Sequence, residues 1–171
     1  QDPSGGPRTQ KFLAAAKGGA VTLTDEMRKL AAQAADGDEH LQAMAVKLRE
    51  LVPQLDRVCI TTAHNGKLTV EQVAQQGVSR RAVGGAKLVV DADGMVLAEY
   101  TTQGQTQVNP DITRLPSGDM RFMARQFASS MHVPAEFAEK PATVNFWSTE
   151  EGGFPAPAVK LLEQVAKEML P

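Results

Sequence analysis

The sequence predicts a single α+β domain built around an antiparallel sheet. Two segments carry this prediction, because residues 57–76 and 130–148 each concentrate β-branched and apolar residues on both sides of a turn. Helical patterns precede the first segment and follow the second. Strands that are grouped along the chain, with helices at its ends, are typical of α+β folds rather than of doubly wound sheets. With 171 residues, the chain is long enough for one domain with a substantial core.

Composition narrows the classes of function. The chain is 42% hydrophobic and 22% charged, and its net charge of −2 gives no electrostatic reason to expect nucleic acid as a direct partner. No apolar run is long enough to cross a membrane. The one cysteine, Cys59, excludes an internal disulfide framework and a zinc cluster. A cytoplasmic protein without a membrane partner is therefore expected. Because the first residue is not Met, the chain could be an excised fragment or a processed form.

The first residues predict a boundary. Residues 1–22 are expected to be a flexible N-terminal segment, since residues 1–10 are rich in Pro, Gly and polar groups and residues 11–17 allow only one or two helical turns. Residues 23–171 are expected to form the single domain. Its first helix starts at Thr24, a good N-cap, and its second at Asp38, after Gly37 breaks the first.

The sheet begins where the hydrophobic period changes. Residues 57–63 (RVCITTA) are β-branched and apolar, and residues 68–76 (LTVEQVAQQ) alternate for part of their length. Asn65 and Gly66 lie between these runs. Because both residues tolerate positive φ angles, the sequence predicts a β-hairpin with a type I′ turn.

The middle of the chain allows two interpretations. Residues 87–100 (KLVVDADGMVLAEY) could form two strands with a turn at Asp93 and Gly94, or Asp91 or Asp93 could cap a short helix that runs to Tyr100. Residues 105–116 are expected to be extended, because Pro110 disfavours the helical region for the residue before it. The pattern from Pro116 to Met131 predicts a helix.

The last third of the chain has the clearest local pattern. Residues 130–137 (SMHVPAEF) and 143–148 (TVNFWS) predict an antiparallel strand pair that is joined across residues 138–141. Pro155 and Pro157 suit the first turn of a final helix. Its apolar stripe is formed by Val159, Leu162, Val165 or Ala166, and Met169.

This final segment resembles the terminal strand and helix of GAF domains. The resemblance rests on Val144 to Ser148, Phe154 and the apolar helix positions, and it is supported by Ser130 and Val133-Pro134 in the preceding strand and by Gly94, Gly104 and Asp111 in the middle. One departure is Glu139-Lys140-Pro141, where the family usually has a glycine. The resemblance implies a GAF-like antiparallel sheet of five to six strands. It also implies N- and C-terminal helices on one face and a loop and helix layer with a cavity on the other.

The resemblance also implies a ligand site between the sheet and that layer. The residues expected there share apolar or hydrogen-bonding side chains and are Tyr100, Asn109, Asp111, Phe122, Met123, Phe127 and Met131. Asn109 and Asp111 would anchor a polar group. The alternative is structural: Phe122, Met123 and Phe127 at helical spacing could be ordinary core residues, and Asp111 could cap a turn.

Several chemistries of the family can be compared with these residues. Phytochrome-like GAF domains attach a bilin through a cysteine near the ligand-covering layer, whereas Cys59 lies in the first predicted strand, so no covalent bilin is expected. GAF-type methionine sulfoxide reductases use several cysteines, so a protein without enzymatic activity is expected. The signature of the cyclic-nucleotide-binding members is absent. For His132, the sequence favours a hydrogen-bonded role in a strand over a role as a haem or iron ligand. The sequence identifies no cofactor and no metal site.

The resemblance therefore implies a small-molecule-sensing regulatory domain in signal transduction, such as transcription regulation. Ligand binding would be relayed through the terminal helices, which would pair in a homodimer, to an output domain in the same or a partner chain. The alternative is a dimerisation or docking module without a ligand. In that case the apolar stripes of Met27, Leu30 and Ala34 and of Val159, Leu162 and Met169 would form the functional surface.

Overall fold

The computed structural model describes residues 5–19, 21–75, 87–115 and 126–171. In these ranges the chain forms a six-stranded antiparallel sheet with the strand order β3-β2-β1-β6-β5-β4. The strands are β1 (Arg57–His64), β2 (Lys67–Gln75), β3 (Val89–Asp91), β4 (Gln107–Asn109), β5 (Ser129–Phe137) and β6 (Lys140–Ser148). The helices are α1 (Pro7–Lys17), α2 (Asp25–Gln33), α3 (Asp38–Leu51), α4 (Val96–Gln103) and α5 (Ala156–Met169), with short 3₁₀ turns at Ala34–Asp36 and Ile112–Arg114.

Helices α1, α2, α3 and α5 bury one face of the sheet. Their apolar side chains share a core with Val58, Ile60 and Phe146, which point to this side of β1 and β6. This arrangement confirms the predicted α+β class with the terminal helices on one face. The described helices include none that is both long and apolar enough to span a membrane.

The apolar stripes of the terminal helices lie inside this core. Met27, Ala34 and Leu162 are fully buried, Met169 is nearly so, and Leu30 and Val159 are partly buried against the same core. These side chains pack against the sheet of their own chain. They are therefore not free to form the intermolecular surface that the sequence analysis associated with a dimerisation module.

The described part of the N-terminal segment, residues 5–19 and 21–22, differs from the flexible tail expected for residues 1–22. Helix α1 spans Pro7–Lys17, and Phe12 is only 1% exposed in the helix-side core. The side chain that satisfies the first turn of α1 comes from Glu150, far along the chain, rather than from the preceding Gly6. Sequence periodicity could not reveal this cap, because it depends on a contact between residues about 140 positions apart.

The first residues of α2 and α3 are fixed in different ways. Thr24 accepts a hydrogen bond from the backbone N–H of Met27 and is the N-cap of α2, as predicted. Asp38 was expected to cap α3, but the N-cap is Gly37, which has a φ of 152°. The Asp38 carboxylate instead accepts a hydrogen bond from the N–H of Val73. Asp38 thus ties α3 to β2.

The two long hairpins close in the same backbone conformation with different residues. In the β1–β2 turn, Asn65 and Gly66 have φ angles of 53° and 73°, which confirms the predicted turn. In the β5–β6 turn, Ala138 and Glu139 have φ angles of 52° and 64°. A residue with a Cβ is disfavoured in this left-handed region, so the second turn is strained at the place where the family usually has glycine.

Each of the two interpretations of the middle is half right. Val89–Asp91 forms the edge strand β3, and the turn lies at Asp93 and Gly94, but a helix follows instead of a second strand. Met95, and neither aspartate, is the N-cap of α4. Gly104 ends α4 in the left-handed conformation.

The helix predicted from Pro116 to Met131 is wrong at its C-terminal end. Residues 116–125 lie outside the described part of the chain. Ser129, Ser130 and Met131 belong to β5, where each pairs with a residue of β6. The ladder with β6 overrides the local helical spacing, as tertiary context often does for short apolar runs.

Candidate functional site

A row of polar side chains crosses the face of the sheet that is opposite the four-helix layer. Successive strand residues point to opposite faces, so the residues that alternate with the helix-side core gather here. Helix α4 covers this face through Leu97 and Tyr100. The row consists of Thr61 on β1, Thr143 and Asn145 on β6, Ser130 and His132 on β5, and Asn109 on β4. We call this set the polar row.

His132 is the centre of the polar row and is fully buried. Its Nδ1 lies 2.6 Å from Oδ1 of Asn145, and its Nε2 lies 2.8 Å from Oγ of Ser130. The amide nitrogen of Asn145 donates to the carbonyl oxygen of Cys59 and to Oγ1 of Thr61, so Oδ1 of Asn145 must accept. His132 therefore carries its proton on Nδ1, and Nε2 accepts from the Ser130 hydroxyl.

The row continues in both directions from His132. On one side, Thr143 donates to Oδ1 of Asn145 at 3.0 Å and lies 2.7 Å from the hydroxyl of Thr61. On the other side, Nδ2 of Asn109 contacts Oγ of Ser130 at 3.3 Å and the hydroxyl of Tyr100 at 3.2 Å. A continuous chain of hydrogen bonds thus runs from β1 to α4 beneath the layer that covers this face.

Aromatic rings surround the imidazole of His132. The ring of Tyr100 lies 4.9 Å from it between centroids, and the ring of Trp147 meets it edge-on at 5.2 Å. Phe127 lies 6.0 Å from Trp147, and the guanidinium carbon of Arg57 lies 5.9 Å from the centre of the Phe127 ring. The site therefore combines an aromatic wall with a polar floor, which is the usual composition of a small-molecule site.

The imidazole of His132 is neutral near pH 7. Burial disfavours its charged form and outweighs the opposing hydrogen bond with Asn145, so the pKa of His132 falls to about 4. Ser130, His132 and Asn145 have the order of a hydroxyl, a base and an orienting amide. An imidazole with so low a pKa is a weak base, and Ser130 is fully buried, so this geometry suits ligand orientation better than activation of the Ser130 hydroxyl.

Metal binding has no support in the described geometry. Both ring nitrogens of His132 are occupied by protein partners. No group of three His, Cys, Asp or Glu residues that could hold a metal ion occurs among the described residues. Cys59 lies on the α4 side of β1 and is fully buried.

The structure brings together some of the residues predicted for the ligand site. Tyr100, Asn109 and Phe127 lie at the polar row or in the core that surrounds it. Asp111 lies at the edge and caps the 3₁₀ turn that follows it by accepting from the N–H of Thr113, which is the structural role considered above. Met131 is on the opposite face, in the helix-side core, because it alternates with Ser130 and His132. Phe122 and Met123 lie outside the described residues.

Sequence reasoning missed most of the polar row. Asn145 and Ser130, and the neighbouring Trp147, were assigned to strands but not to the site, and His132 was considered as a hydrogen-bonded strand residue or a metal ligand. The signal was present in the alternation of Thr143, Asn145 and Trp147 with apolar residues in TVNFWS. What the sequence could not show is that the second face of this sheet is covered, so that these polar groups are buried.

The comparisons with known proteins come from structure alone. No protein-family model matches the sequence, and a search of curated proteins finds no match. The chain superposes on the free methionine-R-sulfoxide reductase of Neisseria meningitidis in complex with its substrate, with a TM-score of 0.62 and 15% identity over 98% of this chain and 91% of that chain. A protein from Burkholderia vietnamiensis, described as a GAF sensor protein, gives a TM-score of 0.60 with 12% identity over 96% and 94%. A solved GAF domain gives 0.54 with 12% identity over 95% and 85%.

These similarities define the fold. The chain has the GAF-domain fold, which confirms the resemblance seen in its terminal strand and helix. The fold is known from sensory domains. At 12–15% identity, the comparisons do not transfer a ligand or a reaction to this chain.

The same comparisons correct one expectation from the sequence. The chain was expected not to be an enzyme, yet several of the matching structures are free methionine-R-sulfoxide reductases, which are enzymes with this fold. The expectation was based on the number of cysteines in that family. The fold itself accommodates catalysis, so an enzymatic activity of this chain is compatible with its architecture.

Proposed function

We propose that the chain is a small-molecule-binding regulatory domain whose ligand occupies the face of the sheet between the polar row and α4. The observation that carries the proposal is the buried polar row itself. Six polar side chains, five of them buried, span three neighbouring strands and a fourth at the sheet edge, where aliphatic residues would fill the face without the cost of removing polar groups from water. Such a row can exchange hydrogen bonds with a ligand without leaving a buried group unsatisfied.

A relay from this face to the terminal helices has a physical route. The segment 149–155 joins β6 to α5, and we call it the junction. Gly152 donates to the carbonyl oxygen of Pro110, the residue after Asn109, at 2.8 Å. Ser129, the neighbour of Ser130, donates to the carbonyl oxygen of Glu150 at 2.6 Å and accepts from Gly153 at 3.0 Å. The ends of β4 and β5 are therefore bonded directly to the junction.

The junction holds α1 through Glu150. Its carboxylate accepts from the backbone N–H groups of Arg8 and Thr9 and from the Thr9 hydroxyl at 2.6 Å. Burial alone would raise the pKa of Glu150, but hydrogen bonds from Thr9 and Arg8 lower it overall. Arg8 also pairs with Asp56, the residue before β1, at 2.6 Å. A small displacement of β4 or β5 would reach α1 through these bonds and α5 through chain continuity.

We further propose that the output is read from the terminal helices, through a homodimer or a contact with an output domain in the same or a partner chain in the cytoplasm. Because their apolar stripes are buried in the chain's own core, the outer faces of α1 and α5 would make this contact. The alternative of a module that dimerises without a ligand would require the same outer faces. Sedimentation of the chain with and without a bound ligand separates the two.

A screen of small molecules by thermal shift tests the proposal. Methionine-R-sulfoxide belongs in the panel, with its reduction measured in parallel, because neighbours in structure are reductases of that compound. A ligand at about 100 times its Kd stabilises the folded state by about 2.7 kcal/mol. Its binding should be lost in Asn145→Ala and retained in Glu151→Ala, which alters an exposed side chain of the junction.

Hydrogen exchange tests the relay separately. With a stabilising ligand, the exchange of the Arg8 and Thr9 amides should change, and Glu150→Gln should weaken that response while leaving ligand affinity within about twofold. Glu151→Gln is the matched control. A ligand that binds without any change at α1 or α5 would contradict the relay and leave ligand binding intact.

A further inference from the structure

Trp147 stands apart from the polar row because its indole N–H has no partner. The side chain is 1% exposed, and no acceptor among the described residues lies within hydrogen-bond distance of its buried Nε1. The neighbouring His132 and Asn145 have every polar atom engaged. An unsatisfied buried donor destabilises a fold, so native proteins keep few of them and usually for a reason.

The position of Trp147 places this donor inside the proposed site. It lies directly opposite Arg57 on β1 and Ser130 on β5, and it is two residues from Asn145 on the same face of β6. Its ring contacts those of His132 and Phe127. The donor is therefore next to the polar row and within the aromatic wall, where the apolar body of a ligand would pack.

The charges around Trp147 select the kind of acceptor. His132 is neutral, and His132, Asn145 and Trp147 contact no carboxylate in the described ranges. The guanidinium group of Arg57 lies on this wall, against the Phe127 ring. His132, Asn145 and Trp147 therefore offer no counter-charge to a cationic group, whereas an anionic oxygen would accept from Nε1 on a wall that also carries the Arg57 guanidinium.

We propose that Trp147 is the anchor for a carboxylate oxygen of a small organic acid with an apolar or aromatic body. The inference rests on the proposed function, since it names the ligand class of that same site. One carboxylate oxygen accepts the hydrogen bond from Nε1 of Trp147, and the apolar body packs among Phe127, Tyr100 and His132. Because Nε1 is closed to solvent here, the ligand enters when the cover of this face opens, and association is slower than diffusion.

The protein offers a direct probe, since Trp147 is its only tryptophan. A ¹⁵N-labelled chain gives one indole N–H signal, which needs no assignment by mutation. Titration with 4-phenylbutyrate should move that proton downfield and change the tryptophan fluorescence with the same Kd. The matched amine, 4-phenylbutylamine, and the neutral 4-phenylbutanol should bind at least about tenfold more weakly.

Trp147→Phe keeps an aromatic ring and removes the donor, so it should weaken 4-phenylbutyrate binding about 10- to 100-fold, as measured by calorimetry. Phe146→Leu, which changes the helix-side core, is the control for a general loss of stability and should leave the Kd within about threefold. If Trp147→Phe fails to fold, the indole signal of the wild-type chain still tests whether the acid binds at Nε1 of Trp147.

The experiments test the Trp147 anchor and the ligand class separately. An acid that binds without moving the indole signal, or that binds Trp147→Phe equally well, overturns the anchor. The proposed ligand class, a small organic acid, is wrong if the amine or the alcohol binds more tightly than the acid. It is also wrong if methionine-R-sulfoxide binds through an oxygen other than those of its carboxylate. In both cases the small-molecule site stands. Loss of binding in Asn145→Ala together with an unmoved indole signal would confirm the site and reject Trp147 as its anchor.

Discussion

His132 shows how one buried side chain can make stability depend on pH. In the unfolded chain its pKa is close to the ordinary value of about 6.5, whereas in the folded chain burial lowers its pKa to about 4. Between these values the unfolded state binds more protons than the folded state. The free energy of unfolding therefore falls as the pH is lowered, and the loss is complete below about pH 4.

We expect the free energy of unfolding to fall by about 2 kcal/mol between pH 7 and pH 5. The glutamates whose pKa values are lowered, Glu71 and Glu150, titrate below this window and contribute little to it. Urea denaturation at a series of pH values measures the slope. His132→Gln, which cannot titrate, should lose most of that slope, whereas His64→Gln, which changes the exposed last residue of β1, should retain it. Equal slopes in the wild type and His132→Gln would contradict the assignment.

The two hairpins differ at the scale of the element. The β1–β2 turn has the residues that its backbone requires, whereas the β5–β6 turn holds Ala138 and Glu139 at φ angles of 52° and 64°. The left-handed conformation costs a residue with a Cβ roughly 1–2 kcal/mol relative to the right-handed one. The register of β5 and β6, nine paired positions long, keeps the strained turn in place.

Replacing Glu139 with glycine should therefore stabilise the protein. We expect Glu139→Gly to raise the free energy of unfolding by about 1 kcal/mol and the Tm by about 2–4 °C, as measured by calorimetry. Gly66→Ala in the other turn should shift the Tm by a similar amount downward. Apart from its chain neighbours, no atom of the described residues lies within 4 Å of the added Cβ at Gly66, so its effect reports backbone strain. A decrease in Tm for Glu139→Gly would show that Glu139 makes a contact worth more than the strain.

The elements also show how much of this fold could be predicted from sequence. Periods of two and 3.6 identify β1, β2, β5, β6, α2, α3 and α5, because each follows its own local pattern. Only one or two turns of helix α1 were predicted, over residues 11–17, and its first turn was missed because it is satisfied by Glu150 from the other end of the chain. The polar row was missed because alternation identifies a strand but does not show whether its polar face is covered. Tyr100, Asn109 and Phe127 were found through the family resemblance rather than through periodicity.

At the scale of the whole molecule, the junction is where separate parts of the fold meet. It bonds to the ends of β4 and β5, caps α1 and leads into α5. Asp56 reinforces it by accepting from Thr149 at 2.8 Å while it pairs with Arg8. Gln54, which is fully buried, donates to the carbonyl oxygen of Gly153 at 2.9 Å. Polar contacts from distant parts of the described chain thus meet within a few residues of one another.

Gly153, in the junction, has no room for a side chain. A Cβ added there would lie 2.8 Å from Cβ of Ser148 and 2.9 Å from Oγ of Ser129, closer than real contacts allow. Gly153→Ala must therefore displace the junction, and we expect it to lower the free energy of unfolding by about 1–3 kcal/mol. Since the same segment holds α1 and begins α5, exchange of the Arg8 and Thr9 amides and of the first turn of α5 should increase together.

Gly18→Ala is the matched control for this change, because its nearest neighbours would be backbone oxygens at 3.6 and 3.7 Å and its φ is −80°. It should leave the stability within about 0.5 kcal/mol of the wild type. Urea denaturation and hydrogen exchange followed by mass spectrometry measure both variants. Faster exchange in α5 with unchanged exchange in α1 would mean that Glu150 holds α1 independently of the junction backbone. In that event a ligand on the polar row could reach α5 but would have no route to α1 through this segment.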